Sequence, residues 1–466
     1  MTNHHYDVII SNKSLFYTFS HLLTGSFVHP PTDTQHALTA CPDCDLLVSV
    51  IEAPTGHAVL CPRCSSTLRK KTEGSIAKTL ALSGTGLILY PPAISLPLMT
   101  FQSLGFSDSA NILESVLNFY RNDYYFVSFM VLLSAVVFPL VLLSGIFFIS
   151  LQLYRRRSSP ALARIFRLYE HFEEWAMVEV YLLGILITVI KMSDSSDITF
   201  RSGVICFTLL VLITLAISTV IDRELFWQMI GGSGREMRAD LPDHPNRDDD
   251  TERSAADRGL ILCDICHLLV PEDLAGQDCP RCGERLHRRK PESFSRTWAL
   301  IITSAIFFAP ANLLPIMRVD FMGVPDRSTI MDGIIYFFQH GSYLIGLIIF
   351  AASILVPLFK IAGLAILLST RAPCNLRLLQ QKTRMYRLIA FIGRWSMLDI
   401  FVISLLTVLV DFGFFTSIHT APAATYFCIV VASTMFAAIT FDPRIMWDTC
   451  TAGDTPAAVA AKPTSS

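Results

Sequence analysis

The chain has 466 residues, 52% hydrophobic and 16% charged, with a formal net charge of −2 and a mean hydropathy of +0.48. This profile excludes an ordinary soluble domain and fits a protein that crosses a membrane several times. With basic residues clustered in loops and no net positive charge, nothing points to nucleic acid.

Residues 1–40 lack a basic head followed by an apolar run, so this N-terminal extension is expected to stay in the cytoplasm. A cysteine-rich ribbon follows at residues 41–70. Cys41, Cys44, Cys61 and Cys64 have C-x2-C-x16-C-x2-C spacing, in which two tight turns each offer two thiolates to one tetrahedral site. Such a ribbon has little core, so metal binding supplies most of its folding energy. The first transmembrane module occupies residues 76–227, with spans expected near Ile76–Met99, Tyr124–Leu153, Trp175–Lys191 and Ser202–Ile221. Pro91, Pro92 and Pro97 interrupt the first span. Asp108–Asn122 has apolar residues at helical spacing and reads as an amphipathic helix on the outer membrane surface; the alternative is an extension of the next span. Arg155, Arg156, Arg157, Arg164 and Arg167 place the loop between spans two and three in the cytoplasm.

Residues 228–258 are Gly-, Pro- and charge-rich and read as a flexible linker. The second ribbon, residues 259–290, carries Cys263, Cys266, Cys279 and Cys282 at C-x2-C-x12-C-x2-C spacing. Zinc is the expected metal in both ribbons, because four thiolates close a tetrahedral site with no open position. Rubredoxin-like iron and a redox dithiol are the alternatives. The second module, residues 294–447, has spans expected near Thr297–Met317, Ser342–Leu368, Leu388–Val410 and Ala421–Phe441, with Pro310 and Pro315 in the first. Ser328–Gly341 is its outer amphipathic segment, and Arg371, Arg377, Lys382, Arg384 and Arg387 fill its basic loop. Residues 448–466 read as a disordered tail. Cys206, Cys374, Cys428 and Cys450 are scattered and read as inert or packing thiols.

The two halves repeat each other. Cys61-Pro-Arg-Cys64 returns as Cys279-Pro-Arg-Cys282 and Pro139 as Pro357, both 218 residues on. Trp175, Met177 and Glu179 return as Trp395, Met397 and Asp399, 220 residues on. The fold expected is mainly α: a tandem duplication of a zinc ribbon and four spans, with ribbons and termini cytoplasmic.

One span carries a charge near its middle. Lys360 lies in an apolar run with Pro357, far from either polar end. A lysine at such depth costs on the order of 3 kcal/mol or more, so it needs a partner or a wet cavity. Asp399 in the next span is the expected partner, with Ser353, Ser396 and Thr434 completing a polar group. Such a group suits a proton relay, a structural ion pair or an anionic headgroup site. The first module keeps Glu179 and Thr214 at the corresponding positions but has Leu142 for Lys360 and Ala176 for Ser396. Phosphate-loop, nucleophile-elbow and H-E-x-x-H motifs are absent, and no enzymatic chemistry is expected.

The duplicated ribbons, the proline-containing first span and the W-x-M-x-[ED] start of the third, from about Cys41 to Trp447, resemble the paraquat-inducible protein A family. That resemblance implies a multi-pass protein of the bacterial inner membrane with cytoplasmic zinc ribbons. It also implies a role in phospholipid transport and envelope integrity beside a periplasmic mammalian-cell-entry (MCE) domain tunnel protein. A non-transporting scaffold for that tunnel is the second expectation, and a redox membrane protein with rubredoxin-like iron the third.

Overall fold

The computed structural model describes residues 9–12, 37–50, 57–103, 106–192, 197–231, 254–321, 324–339, 341, 343–369, 375–409 and 416–448. Most of the N-terminal extension, most of the linker, the tail, Arg371, Cys374 and Cys450 lie outside the described residues.

In the first ribbon, β1 (Ile9–Asn12), β4 (His57–Leu60) and β5 (Thr67–Lys70) form one antiparallel sheet, and β2 (Ala37–Ala40) and β3 (Leu47–Val50) a hairpin. Helix α1 (Ser75–Ser95) ends before the expected Met99, because Pro97 forces Leu96 into an extended conformation (φ −75°, ψ 146°). Strands β6 (Met99–Ser103) and β7 (Phe106–Ala110) and helix α2 (Ile112–Arg121) follow. Helix α3 (Tyr125–Val131) passes through a π turn, Leu132–Val137, into α4 (Phe138–Tyr154). Proline lacks an N–H and crowds the carbonyl four residues back, so a widened turn ahead of Pro139 relieves the clash. Then come α5 (Pro160–Phe172), α6 (Val178–Met192), β8 (Asp197–Phe200), α7 (Ser202–Val220) and α8 (Arg223–Ile230).

The second half repeats this order. After β9 (Leu260–Leu262) and β10 (Leu269–Pro271) come α9 (Ser293–Leu313), β11 (Met317–Phe321), β12 (Val324–Ser328) and α10 (Ile330–Gln339). Helix α11 (Tyr343–Phe350) crosses a second π turn, Ala351–Leu355, into α12 (Val356–Ser369), again just ahead of a proline, Pro357. The chain closes with α13 (Leu376–Gly393), α14 (Leu398–Leu409), β13 (Thr416–Thr420), α15 (Ala423–Thr440) and α16 (Ile445–Asp448).

Among the described residues, six helices are long and apolar enough to cross a membrane: Tyr125–Tyr154, Ser202–Val220, Ser293–Leu313, Gly346–Ser369, Leu376–Val408 and Ala423–Thr440. Eight spans were expected. Helix α1 is in place but falls outside this set, and α6 has only 15 residues, about 22 Å of helix. Its counterpart α14 has 12 residues and reaches span length only together with α13. Both short helices pack against each other where the modules meet. There Tyr181 and Phe401 lie 5.1 Å apart between ring centroids, and a Cβ at Gly184 would sit 3.2 Å from the Phe401 Cβ. Every residue from Ile400 to Val408 is buried. Cross-module hydrogen bonds from Asn118 Nδ2 to the Thr407 carbonyl (2.9 Å) and from the Tyr124 hydroxyl to the Thr420 carbonyl (2.8 Å) complete the seam.

Two further differences from the sequence reading concern loops. The basic stretch with Arg377, Lys382, Arg384 and Arg387 is α13, whose buried Leu379, Thr383 and Ile389 give it an inward face. At the ends remote from the ribbons, β7-β6-β8 and β12-β11-β13 form two three-stranded antiparallel sheets, which pair Met99 with Ala110 and Phe200 and Met317 with Ser328 and Thr420. The outer helices therefore start at Ile112 and Ile330 instead of Asp108 and Ser328. Asn111 caps the first, accepting from the Glu114 N–H at 2.7 Å, and Thr329 and Asp332 exchange capping hydrogen bonds at the second.

Helix α7 begins against the chain that leaves α1. A Cβ at Gly203 would lie 2.4 Å from the Pro97 carbonyl oxygen and 2.7 Å from that of Leu96, both rigid backbone. Gly203→Ala is expected to cost about 1–3 kcal/mol through overpacking, read as a lower thermal midpoint in detergent. An unchanged midpoint would show that the contact yields.

The ribbons dock crosswise. The second knuckle of ribbon 1 sits on module 2. Arg387 of α13 donates to the Ser65 carbonyl (3.2 Å) and to that of Cys64, Gln380 donates to the Arg63 carbonyl (2.7 Å), and the Arg63 guanidinium lies 4.3 Å over the Trp447 ring. In the mirror arrangement, the second knuckle of ribbon 2 sits on module 1. Arg167 of α5 donates to the Gly283 carbonyl (2.6 Å) and pairs with Glu284 (3.4 Å), while buried Arg281 pairs with Glu224 (3.3 Å). Arg387 and Arg167 are 220 residues apart and Gly283 and Ser65 are 218 apart, so one contact is made twice with the partners exchanged. The apolar clusters agree: Cys61 and Cys64 pack with Leu364, Leu379 and Trp447, and Cys279 and Cys282 with Leu142, Phe166 and Trp227.

Candidate intramembrane site and metal centres

Each C-x-x-C pair closes a tight turn. The N–H groups of Asp45, Ser65, His267 and Gly283 donate to the carbonyls of Cys41, Cys61, Cys263 and Cys279 at 2.9, 2.8, 3.1 and 2.8 Å. The donors adopt positive φ of 59°, 61°, 53° and 71°. These turns aim four sulfurs inward, and each foursome lies within 4.8 Å. Sγ–Sγ separations are 3.5 Å for Cys41–Cys64 and Cys263–Cys282 and 3.6 Å for Cys44–Cys61 and Cys266–Cys279. Tetrahedral thiolate ligation with bonds of about 2.3 Å requires about 3.8 Å between sulfurs. All eight cysteines are buried. The residues therefore fit two closed metal sites, structural and not catalytic in kind.

The second site lies between α12, α14, α15 and the two short turns that precede the first two of these. Lys360 on α12 is 0% exposed. Its Nζ donates to Ser396 Oγ at 3.4 Å and lies 3.9 Å from where a Gly393 Cβ would be, so the missing side chain at 393 leaves room for the amine. Ser396 is in the turn Arg394–Met397 that joins α13 to α14, and Asp399 is in the first turn of α14, where the helix dipole favours a carboxylate. The lysine's hydrogen bond thus goes to Ser396 and not directly to Asp399, one turn further on. Ser353, 1% exposed, is in the π turn and donates to the Ile349 carbonyl (2.7 Å); Thr434, also 1% exposed, donates to the Val431 carbonyl (3.0 Å). Their elements adjoin the Ser396 turn, but their hydroxyls are turned to their own helices.

Two further hydroxyls, outside the polar group expected from the sequence, join this region. Ser304 of α9 and Ser433 of α15 are hydrogen-bonded across helices at 2.7 Å. The repeat itself held the signal, because the first module has Gly86 and Ile213 at those positions, packed as an apolar contact of 3.3 Å from the Gly86 Cβ position. In module 1, Leu142 takes the place of Lys360 in an apolar cluster, and the Met177 N–H reaches the Ser134 carbonyl of the π turn at 3.4 Å. Glu179 stands in the first turn of α6.

Duplicated helical modules with membrane-length apolar helices, two four-cysteine ribbons able to hold metal ions and a buried lysine in one module define a multi-pass membrane protein. The family model for paraquat-inducible protein A matches residues 76–231 and 294–451, and the chain belongs to that family. It is 31% identical over 410 residues to the "Intermembrane transport protein PqiA" of Escherichia coli, covering 88% of this chain and 95% of the relative. Against the "Lipophilic envelope-spanning tunnel protein A" of the same organism it is 30% identical over 89% of this chain and 92% of the relative. A "Probable intermembrane transport protein" of Haemophilus influenzae is 27% identical, over 89% and 97%. No solved structure matches.

Proposed function

We propose that this protein is the inner-membrane subunit of a lipid transport system, exchanging phospholipid with a periplasmic MCE-domain tunnel protein. Ribbons and termini face the cytoplasm, in keeping with Arg155, Arg156, Arg157, Arg164 and Arg167 on the ribbon side of module 1. Zinc fills both ribbons, since closed four-thiolate sites suit a metal that needs no redox chemistry. Proton movement through the group Ser353, Lys360, Ser396, Asp399 and Thr434 is coupled to opening of a lipid pocket in module 2, with Glu179 the corresponding polar residue of module 1. The observation that carries this reading is the buried Lys360 amine, held in apolar helix by a hydroxyl at 3.4 Å. A group that expensive to bury is kept in a membrane span for function or for register.

The test is transfer of a fluorescent phospholipid from proteoliposomes holding the full chain, with and without an imposed pH gradient. Wild type is expected to respond to the gradient, and Asp399→Asn to lose the response at equal incorporation. Equal transfer by both would remove the coupling role and favour a non-transporting scaffold. Iron in place of zinc would show as colour in the purified protein.

A further inference from the structure

The crossed docking has a consequence for how metal acts on this fold. We infer that each metal centre holds the opposite transmembrane module in place, so that ribbon 1 positions the helix leading to Ser396 and ribbon 2 positions module 1. The carbonyls that receive Arg387 belong to Cys64, a ligand, and Ser65, the αL residue after it. Arg167 likewise bonds Gly283, the residue after the ligand Cys282. Those carbonyls point outward only while the knuckle is wrapped round its ion, because a ribbon this small owes its fold to the metal. From Arg387, α13 runs less than two turns to Gly393, and the next turn carries Ser396 against Lys360. A shift of ribbon 1 is therefore transmitted to the polar group by one short rigid helix.

Stalk contacts, by contrast, stay within each half, and one first-knuckle contact does too, from Arg444 to Asp264 of ribbon 2 at 2.7 Å. Lys290 donates to the Ile439 carbonyl at 2.7 Å, and Lys70 bonds the Thr219 carbonyl at the equivalent place. These anchor a ribbon to its own module whether or not the knuckle is formed. Loss of one ion should then loosen the far module more than the near one. Because the two crossings are reciprocal, neither module is complete without the other's ribbon.

The experiment is amide exchange by mass spectrometry on the full chain in lipid nanodiscs, comparing Cys61→Ser/Cys64→Ser with Cys279→Ser/Cys282→Ser. The first pair is expected to speed exchange in 376–397 about tenfold or more while 160–172 and 223–230 keep wild-type rates; the second should give the reverse. Arg387→Gln and Arg167→Gln, which leave the cysteines intact and so keep two ions per chain, should reproduce smaller forms of the same two patterns. Loosening of the ribbon's own module, uniform loosening in both, or no change outside the mutated ribbon would each overturn the inference. Since the readout is exchange and not transport, failure here leaves the lipid reading standing, and the reverse holds too.

Discussion

Lys360→Met is expected to abolish lipid exchange at undiminished protein abundance and, at the same time, to make the protein more resistant to heat. The amine is fully buried and has one hydroxyl partner at 3.4 Å, so its desolvation is poorly offset. Methionine is unbranched and of similar length, and fills the same space against Gly393 without a charge. Because the partner is a neutral hydroxyl, replacing the amine by an apolar group of like volume removes a desolvation cost without stranding an opposite charge, so the change is expected to stabilise. Lys360→Ala should behave differently, since it empties the site and costs about 2–5 kcal/mol. The measurements are complementation of an envelope-stress phenotype, membrane abundance by blot and the thermal midpoint in detergent. A methionine variant that is inactive and stable places the chemistry at the amine. Should it instead be scarce in the membrane, Lys360 is a structural ion that fixes register; should it complement fully, the scaffold reading prevails.

Asp442→Ala should be the most destabilising single change on the ribbon side, by about 3–5 kcal/mol, because it strands a buried guanidinium. Asp442 and Arg444 are 0% and 2% exposed. Arg444 donates through Nε and Nη2 to the two carboxylate oxygens, both at 2.9 Å, and the backbone N–H groups of Arg444 and Lys290 add bonds of 3.0 Å each. Without the carboxylate, Arg444 would keep only Asp264 of ribbon 2, at 2.7 Å and one-third exposed. The first-module counterpart, Asp222, caps α8 by accepting from the Leu225 N–H at 3.1 Å, and its loss should cost only about 1 kcal/mol. If the double change Asp442→Leu with Arg444→Met is no milder than Asp442→Ala, the stranded-charge account fails.

The same pair sets an acid limit. Burial raises the Asp442 carboxyl, but the Arg444 hydrogen bonds and charge and the two backbone N–H groups outweigh it, holding the group below the usual carboxylate value. A carboxyl depressed in the folded state contributes stability that is complete above the unfolded value of about 3.9 and is lost as pH falls through the folded one. Thermal midpoints should therefore drop below about pH 4 in wild type, and less steeply in the Leu–Met double variant.

Local chemistry was legible wherever the determinants lie close in sequence. Both cysteine sets came directly from C-x-x-C spacing, because a tight turn of a few residues suffices to aim two sulfurs. The outer helices Ile112–Arg121 and Ile330–Gln339 followed from periodicity, and their starts were misplaced only because Asp108–Ala110 and Val324–Ser328 pair as strands first. Basic residues hid α13, since a charge-counting rule for loops does not see an inward face of Leu379, Thr383 and Ile389.

By itself the sequence determined the duplication, the two four-cysteine sets, the membrane character and the asymmetry that puts Lys360 in one half only. These follow from residue identity and spacing, which survive any arrangement of the helices. Tertiary structure alone decided that Lys360 meets Ser396 before Asp399, that α6 and α14 pack against each other where the modules meet, and that each ribbon rests on the other half's module. Two halves with nearly the same surfaces offer nearly the same docking contact at home and across, so the pattern of residues is blind to the choice. Packing in three dimensions is what breaks the tie.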